Sequence, residues 1–418
     1  MRFYNRLNMK KKINNVQEST LEPLNPSTLE PLKEGWRWVK LGKVCELIMG
    51  QSPPGSTYTD KPEGLPFFQG KADFGEYFPT VRVWCTQPIK IAEEGDILIS
   101  VRAPVGPVNM NNLKCCIGRG LVAIRCKDDA INWSIFWYLR SIEAQISSLG
   151  SGSTFGAITR GDLISLQIPL PQIKEQKRIA AKLKELMQEV ERARTACEKQ
   201  LEAAKSLPAA YLREIFESEE AKKWERKRLG EVYEVCQYGL TATATNDKGF
   251  PYIRITDIDD LGNINIDGIK FVDCDENTHK KYALEKGDIL FARSGSIGRT
   301  FLYNEIPPKA IFASYLIRFR LNQMLINPSW LFYYTHSVQY YQFIEEKKHT
   351  VSQPNINAEE YKSLSIPLPS LPVQQRIAAE LKENMAEVDK LRTSIEKQLE
   401  AINVLPQAIL RKAFRGEL

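Results

Sequence analysis

Residues 168–179 read IPLPQIKEQKRI, and residues 366–377 read IPLPSLPVQQRI. The match continues at a constant offset of 198, so that residues 168–220 align with residues 366–418 without a gap. Of these 53 aligned pairs, 30 are identical. Self-similarity at a fixed offset indicates an internal duplication. We therefore expect two copies of one structural plan, each with a divergent part followed by a nearly constant part.

The constant parts carry the pattern of long α-helices. Apolar residues recur in steps of four and three among balanced charges, which is typical of a coiled-coil seam. At ~1.5 Å per residue, a helix over residues 173–206 would span about 50 Å. Pro208 and Pro406 occupy equivalent positions and are expected to kink or restart both helices. The predicted seam of the first copy consists of Ile179, Leu183, Leu186, Val190, Ala193 and Cys197, followed after a stutter by Leu201 and Ala204. That of the second copy consists of Ile377, Leu381, Val388, Leu391, Ile395, Leu399 and Ile402.

One seam position differs between the two copies. Asn384 stands where the first copy has Leu186. A polar residue in a seam can fix the register of a coiled coil. A helix end or a solvent-facing turn explains the same asparagine equally well.

The divergent parts contain short β-rich runs separated by glycine, proline and asparagine, such as residues 96–102 and 315–320. Helical stretches intervene around residues 133–139 and 330–334. This mixture predicts an α+β fold. The expected segments are a flexible N-terminal extension at residues 1–35, domain 1 at 36–171, a helical spacer at 172–220, domain 2 at 221–371, and a second helical spacer at 372–418.

Composition excludes several classes of protein. The 418 residues are 43% hydrophobic and 26% charged, which is typical of globular proteins and not of disordered or collagen-like chains. No stretch approaches the ~20 consecutive apolar residues of a membrane span, and residues 1–16 lack the apolar core of a secretory signal. We therefore expect a cytoplasmic protein with reduced thiols. No CxxC pair occurs and histidine is rare, so no metal site is predicted.

Catalytic motifs are also missing from the sequence. It has no phosphate-binding GxxxxGK[ST] loop and no histidine at a recognisable spacing from a nucleophile. Residues 327–330, NPSW, superficially resemble a signature of adenine methyltransferases, but the second proline is a serine. A helix that starts there, with Ser329 in its first turn, explains these residues better. No catalytic residue is predicted.

Several motifs occur in a fixed order, and the helical opening occurs twice. With this arrangement, residues 36–418 resemble the specificity (S) subunit of type I restriction–modification systems. The motifs are LPFFQGKADF at 65–74, VRAPVG at 101–106, IGRGL at 117–121, GSTFGAI at 152–158, QKRI at 176–179, QQRI at 374–377 and LRKAFRGEL at 410–418.

The resemblance implies both a fold and a task. It implies two α/β target recognition domains, separated by two long antiparallel coiled-coil helices in a pseudo-twofold duplication. Each domain would read one half of a split site in double-stranded DNA, and the helices would dock two methyltransferase subunits. Those subunits would bring S-adenosylmethionine for adenine methylation, while this chain would bind no cofactor and would not be catalytic. The sequence leaves open whether restriction subunits join the complex.

Physical reasoning supports two unlike half-sites. The separation of two reading domains on one duplex fixes the half-site spacing. Because the globular parts have diverged while the helices stayed alike, we predict an asymmetric bipartite target. A palindrome with equal half-sites would count against this prediction.

Candidate DNA-binding residues follow from the chemistry of DNA. Arginine suits guanine, asparagine and glutamine suit adenine, and lysine, serine and threonine suit phosphates. For any single residue, a solvated surface charge or a buried ion pair is about as good an explanation. The candidates are Gln69, Lys71, Arg102, Arg119, Ser153, Thr154 and Arg160 in domain 1, and Arg254, Thr256, Arg293, Ser294, Ser296, Arg299, Gln353 and Asn355 in domain 2.

Two of these candidate pairs are compared between the copies. Arg254 follows Pro251-Tyr252 as Gln69 follows Pro66-Phe67, so the two residues occupy matching positions. An arginine in place of the glutamine would change the preferred base. Arg102 and Arg293 are offset by one residue relative to the Gly-Asp-Ile-Leu motif of each copy. On a strand, that offset would place them on opposite faces.

Two other classes of function remain as alternatives. A coiled-coil scaffold whose globular domains bind proteins would show no salt-sensitive binding to duplex DNA, because only phosphate contacts release counterions. A self-contained methyltransferase or nuclease would show a cofactor pocket or activity from the purified chain alone.

Overall fold

A computed structural model describes residues 32–128, 131–150, 157–348 and 355–418. The expected extension at residues 1–35 therefore lies almost wholly outside the described residues. The chain divides into two compact units. Unit 1 combines Met1–Ala196 with Leu399–Leu418, and unit 2 is Cys197–Gln398.

Unit 1 contains a four-stranded antiparallel sheet of order β2-β10-β7-β8, a five-stranded sheet of order β3-β5-β4-β9-β6, and the pair β1-β11. The strands are β1 Arg37–Lys40, β2 Cys45–Met49, β3 Tyr58–Thr59, β4 Leu65–Phe68, β5 Trp84–Cys85, β6 Ile91–Ala92, β7 Ile97–Ser100, β8 Val108–Met110, β9 Cys115–Ile117, β10 Leu121–Cys126 and β11 Gln167–Leu170. The helices are α1 Leu41–Val44, α2 Asn132–Ser141, α3 Glu143–Gly150, α4 Arg160–Ser165 and the first part of α5 Ile173–Phe216.

Unit 2 repeats this plan with sheets of order β13-β19-β16-β17 and β15-β14-β18 and the pair β12-β20. Its strands are β12 Arg226–Arg228, β13 Tyr233–Tyr238, β14 Phe250–Ile253, β15 Lys270–Val272, β16 Ile289–Ala292, β17 Thr300–Leu302, β18 Ile311–Phe312, β19 Leu316–Leu321 and β20 Ser365–Pro367. Its helices are α6 Glu276–Tyr282, α7 Pro328–Tyr334, α8 Val338–Lys348, α9 Ala358–Lys362 and most of α10 Leu371–Phe414.

The strand pairing confirms the duplication. In unit 1, β4 runs parallel to β9, and Phe68 pairs with Ile117. In unit 2, β14 runs parallel to β18, and Ile253 pairs with Phe312. All neighbouring strands in both four-stranded sheets are antiparallel. The α+β prediction is therefore correct for both divergent parts.

Each unit has its own core, built on its four-stranded sheet. Every residue of β7 and of β16 is buried, so these two central strands read as continuous apolar runs. The core of unit 1 joins Ile97 and Ile99 to Trp137 on α2. The core of unit 2 joins Ile289 and Phe291 to residues of α7, α8 and α9.

The long helices close both cores. Each spans 44 residues, about 66 Å at ~1.5 Å per residue. In unit 1, the start of α5 packs with the end of α10 through Leu183 and Leu410. In unit 2, the end of α5 packs with the start of α10 through Phe216 and Leu381. The start of each helix therefore meets the end of the other, which confirms the antiparallel arrangement.

Two details of the predicted helices are wrong. Of the kink or restart expected at each proline, the restart is wrong, because Pro208 and Pro406 lie inside continuous helices. Each proline costs its helix one backbone hydrogen bond, and the helix continues through it nevertheless. The seam also deviates from the alternating steps of four and three, since Ala193 is exposed and Leu391 is 45% exposed. Met187 is buried beside the predicted Leu186.

A buried glutamine fastens each domain to its helix. The amide nitrogen of Gln176 donates to the Pro171 carbonyl at 2.7 Å. In the second copy, the amide nitrogen of Gln374 donates to the carbonyls of Pro369 at 2.8 Å and Leu325 at 3.2 Å. The amide oxygen of Gln374 accepts from the Asn327 N–H at 2.9 Å. In both copies, this glutamine therefore ties the first turns of the long helix to the domain that precedes it.

We expect Gln374→Ala to lower the free energy of unfolding by about 1–3 kcal/mol, because it removes the three hydrogen bonds of a fully buried side chain and leaves the part-buried Asn327 N–H without its acceptor. Gln375→Ala is a matched control, since the neighbouring Gln375 is exposed, and should change stability by less than about 0.5 kcal/mol. Urea unfolding of the full chain measures both. Equal midpoints for the two variants would contradict the role of Gln374.

Candidate nucleic-acid interface

Four predicted residues of domain 1 line one pocket in unit 1. The pocket has a volume of about 200 Å³, and its lining includes Gln69, Lys71, Arg102 and Arg119. All four residues are exposed. They come from three separate loops, which follow β4, β7 and β9. The fold therefore gathers residues that are up to 50 positions apart in the sequence.

Backbone geometry brings these loops together. Gly120 lies so close to Gln69 that a β-carbon at residue 120 would stand 2.3 Å from the Gln69 carbonyl oxygen. The carboxylate of Asp73 accepts from the Gln69 N–H at 2.7 Å and from the Gly70 N–H at 3.3 Å. Arg82 holds the other oxygen of Asp73 at 2.5 Å. The loop after β4 is thereby fixed, while the Gln69 side chain stays exposed.

The pocket offers hydrogen-bond donors without compensating carboxylates. Among the described residues, its lining includes no acidic side chain, and Ser52 adds a hydroxyl. Within the described part of the chain, no ion pair engages Lys71, Arg102 or Arg119. Three cations and an amide around one cavity suit a polyanion or the acceptor-rich edge of a base.

The corresponding turn in domain 2 has a different partner arrangement. Arg254 directly follows β14, as Gln69 follows β4. Its guanidinium binds the Asp257 carboxylate through two hydrogen bonds of 2.6 and 3.0 Å. Arg254 therefore pairs with the aspartate of its own turn, as Arg82 pairs with Asp73 in domain 1. Gln69 and Arg254 are thus more than two alternative base-reading side chains at one position, because Arg254 also holds its turn. Thr256 is exposed in the same turn.

Three further candidates of domain 2 lie close together: Arg293 and Ser294, which follow β16, and Asn355. The Nε of Arg293 donates to the Asn355 side-chain oxygen at 3.2 Å. The backbones of Ser294 and Asn355 form an isolated antiparallel bridge. The Arg293 guanidinium also lies 4.8 Å from the centre of the Tyr238 ring. This small cluster is the counterpart in domain 2 of the Arg102 loop.

The predicted strand-face argument for Arg102 and Arg293 is wrong. Both residues lie beyond the ends of β7 and β16, where the alternation of strand faces no longer applies. The offset itself is real, because Val101 and Arg293 occupy equivalent backbone positions. Val101 N–H donates to Gly120 and its carbonyl accepts from Ile158, while Arg293 N–H donates to Tyr315 and its carbonyl accepts from Ile356.

The remaining candidates are dispersed. Arg299 binds Asp260 at 2.6 Å and the Ile258 carbonyl at 2.9 Å, so its guanidinium has a structural role. Ser296 lies in the turn before it and accepts the Arg299 N–H through its backbone carbonyl. Arg160 is exposed on the first turn of α4, outside the pocket lining. The candidates outside the described residues are Ser153, Thr154 and Gln353.

Sequence reasoning missed several residues of these surfaces. Ser52 accepts the Arg119 N–H in the pocket. The Tyr238 ring lies against the Arg293 guanidinium, and Tyr315, which is 60% exposed, accepts the Arg293 N–H through its backbone carbonyl. Tyr315 directly precedes β19, whose residues are nearly all buried, so the sequence does not distinguish Tyr315 from core residues.

The Gly-Asp-Ile-Leu motif has a structural role in both units. The Arg125 guanidinium donates two hydrogen bonds, of 2.9 and 2.8 Å, to the Asp96 carboxylate. In unit 2, the Arg320 guanidinium donates two hydrogen bonds, of 2.8 and 3.0 Å, to the Asp288 carboxylate. Hydrogen bonding to these carboxylates raises the pKa of Arg125 and of Arg320. These two arginines stabilise their sheets, as expected for partly buried ion pairs.

Three further observations concern other kinds of site. The side chain of Asn327 accepts from the Trp330 N–H and caps α7, with Pro328 in the first turn, so residues 327–330 form a helix start. In the part of the chain that the structure describes, no group of three or more histidine, cysteine, aspartate and glutamate side chains could hold a metal ion. Among the same residues, no helix is both long enough and apolar enough to cross a membrane.

Comparison with known proteins identifies the family. The family described as "Type I restriction modification DNA specificity domain" matches residues 33–202 and 221–401. A putative type I restriction enzyme MjaX specificity subunit from Methanocaldococcus jannaschii is 46% identical over 182 residues, which are 43% of this chain and 43% of the relative. The EcoKI specificity subunit of Escherichia coli is 25% identical over 420 residues, which cover 93% of this chain and 90% of that subunit.

A solved structure agrees in fold. The HsdS subunit from Thermoanaerobacter tengcongensis has a TM-score of 0.65 and 24% identity to this chain, and the match covers 94% of this chain and 99% of that one. The family matches cover both divergent parts and most of both long helices. The chain therefore belongs to the family of type I restriction–modification specificity subunits.

Proposed function

We propose that this chain is the DNA-reading, non-catalytic subunit of a type I complex, in which each domain reads one half of an asymmetric bipartite site. The observation that carries the proposal is the donor-rich pocket of unit 1. Lys71, Arg102 and Arg119 converge there, and none of them forms an ion pair with another described residue. Uncompensated cations beside a fixed glutamine can supply both phosphate contacts and base contacts.

The divergence of the two domains supports unlike half-sites. At equivalent turns, domain 1 presents the exposed amide of Gln69, whereas domain 2 presents an ion pair between Arg254 and Asp257. Surfaces with different donors and acceptors favour different bases. The predicted target is therefore split and asymmetric.

The long helices would carry the other subunits. We propose that they dock two methyltransferase subunits, and that S-adenosylmethionine binds to those subunits and not to this chain. The methyltransferase subunits would modify adenine, and restriction subunits would supply cleavage where the system has them. We expect the complex in the cytoplasm, where its DNA substrate lies.

Salt-dependent DNA binding tests the proposal. We expect the chain, assembled with its methyltransferase partner, to bind duplex DNA with an affinity that falls steeply as salt rises. Lys71→Ala should weaken binding to all duplexes similarly and should reduce the slope of log K against log salt by about one. Fluorescence anisotropy at several salt concentrations measures both effects.

Lys114→Ala is the matched control, since Lys114 is already paired with Glu93 at 3.0 Å and does not line the pocket. It should leave the slope unchanged. Binding that is insensitive to salt would contradict the proposal and would favour a scaffold whose domains bind proteins.

A further inference from the structure

We propose that Arg293 is a specificity-determining residue of domain 2, and that its guanidinium recognises the two neighbouring acceptors, O6 and N7, on the major-groove edge of guanine. The inference rests on the proposed function and deepens it, because it names one residue and one base. It follows from a comparison of the arginines on the sheet and adjoining loops of domain 2.

Most of those arginines are occupied by carboxylates. Arg254 binds Asp257, and Arg299 binds Asp260. Arg320 binds Asp288 and also Glu285, at 2.7 Å. A carboxylate partner compensates the charge of a guanidinium and occupies some of its hydrogen-bond donors. These arginines therefore hold loops and strands together.

Arg293 differs because its neighbours are uncharged. Its Nε donates to the Asn355 side-chain oxygen at 3.2 Å, and the Tyr238 ring covers the guanidinium at 4.8 Å. Within the described residues, no ion pair or hydrogen bond engages its two terminal nitrogens. The pair of terminal N–H groups and the full positive charge thus stay available for an outside acceptor.

The surroundings of Arg293 also fix its direction. Its backbone N–H donates to the Tyr315 carbonyl at 3.0 Å, and its carbonyl accepts from the Ile356 N–H at 2.8 Å. The side chain is then held between an amide and an aromatic ring. A side chain fixed in this way loses little further entropy when it binds a planar pair of acceptors. A phosphate contact needs no such fixed orientation, because lysine makes it as a point charge.

The test uses the full chain assembled with its methyltransferase partner. We expect Arg293→Ala to relax discrimination at a single G·C pair of one half-site by about 10- to 100-fold and to leave the other positions unchanged. Competition binding against duplexes substituted at each position of the methylated motif measures this. Arg293→Lys keeps the charge but lacks the fork, so it should lose the same discrimination with an unchanged salt slope.

Two neighbours should act as positioning residues. Asn355→Ala and Tyr238→Leu should partly relax the same G·C pair and no other. Tyr238→Phe keeps the ring and should retain the discrimination. Lys280→Ala removes an exposed cation from α6 and should leave the motif unaltered. Thermal melting of each variant establishes that it is folded.

Two distinct outcomes separate this inference from the proposed function. If Arg293→Ala weakens binding to all duplexes equally and lowers the salt slope by about one, Arg293 contacts a phosphate, and the inference fails while the proposed function stands. If the unsubstituted complex binds duplexes without salt dependence or sequence preference, the proposed function itself fails.

Discussion

The double substitution Arg102→Ala with Arg119→Ala is expected to lower the affinity of the complex for its target by about 3–5 kcal/mol, roughly 100- to 5,000-fold. Both guanidinium groups line the pocket of unit 1, and neither is paired within the described residues. Each can make a charge-assisted, two-pronged contact with DNA, and contacts of that kind are the strongest available to a side chain. The loss should fall mainly on one half of the target.

Competition binding of the assembled complex to its target duplex measures this loss. Lys114→Ala again serves as the control for the removal of a surface cation from the same unit. The double variant should keep the thermal stability of the parent chain, because no described residue relies on either guanidinium. An affinity within about threefold of the parent, less than ~0.7 kcal/mol, would remove the pocket from the interface.

The substitution Asp288→Ala is expected to lower the free energy of unfolding by about 3–5 kcal/mol, because it leaves the buried Arg318 without a counter-ion and the half-buried Arg320 with only the exposed Glu285. Asp288 is buried and accepts two hydrogen bonds from the Arg320 guanidinium. One of its carboxylate oxygens also lies 3.7 Å from a terminal nitrogen of Arg318. The Arg318 side chain is only 6% exposed. Burial lowers the pKa of Arg318 even though the nearby Asp288 charge opposes that shift.

Glu285→Ala is the matched control. Glu285 also pairs with Arg320, at 2.7 Å, but its side chain is 67% exposed. Exposed ion pairs contribute little, so this change should lower the free energy of unfolding by less than about 1 kcal/mol. Urea unfolding of both variants tests the comparison. Equal losses for Asp288→Ala and Glu285→Ala would show that the buried ion pair does not stabilise unit 2.

The sequence was most informative where a periodic pattern spans many residues. The repeat at an offset of 198 and the apolar steps of four and three led to two long helices, which the structure contains as α5 and α10. Of the kink or restart expected at Pro208, the restart is wrong, because one proline removes a single hydrogen bond from a helix of 44 residues and does not end it. Leu391 fits the apolar spacing but is 45% exposed. The spacing alone does not show which side chains pack beside each position of the helix.

The candidate site was less accessible to sequence reasoning. Residue chemistry identified Gln69, Lys71, Arg102 and Arg119, which the structure brings into one pocket. It could not separate a free arginine from a paired one, because the partner is defined only by the folded loop. Arg254 finds its carboxylate three residues away, whereas nothing in the sequence indicates that an asparagine holds Arg293.

The most direct test of the account is to map the adenine-methylation motif in DNA from cells that express this chain with its methyltransferase partner. The unsubstituted chain should produce a split, asymmetric motif. The double substitution of Arg102 and Arg119 should degrade one half of that motif, and Arg293→Ala should relax a G·C pair in the other half. A palindromic or unsplit motif, or damage to the same half by both variants, would contradict the claim that each domain reads its own half-site.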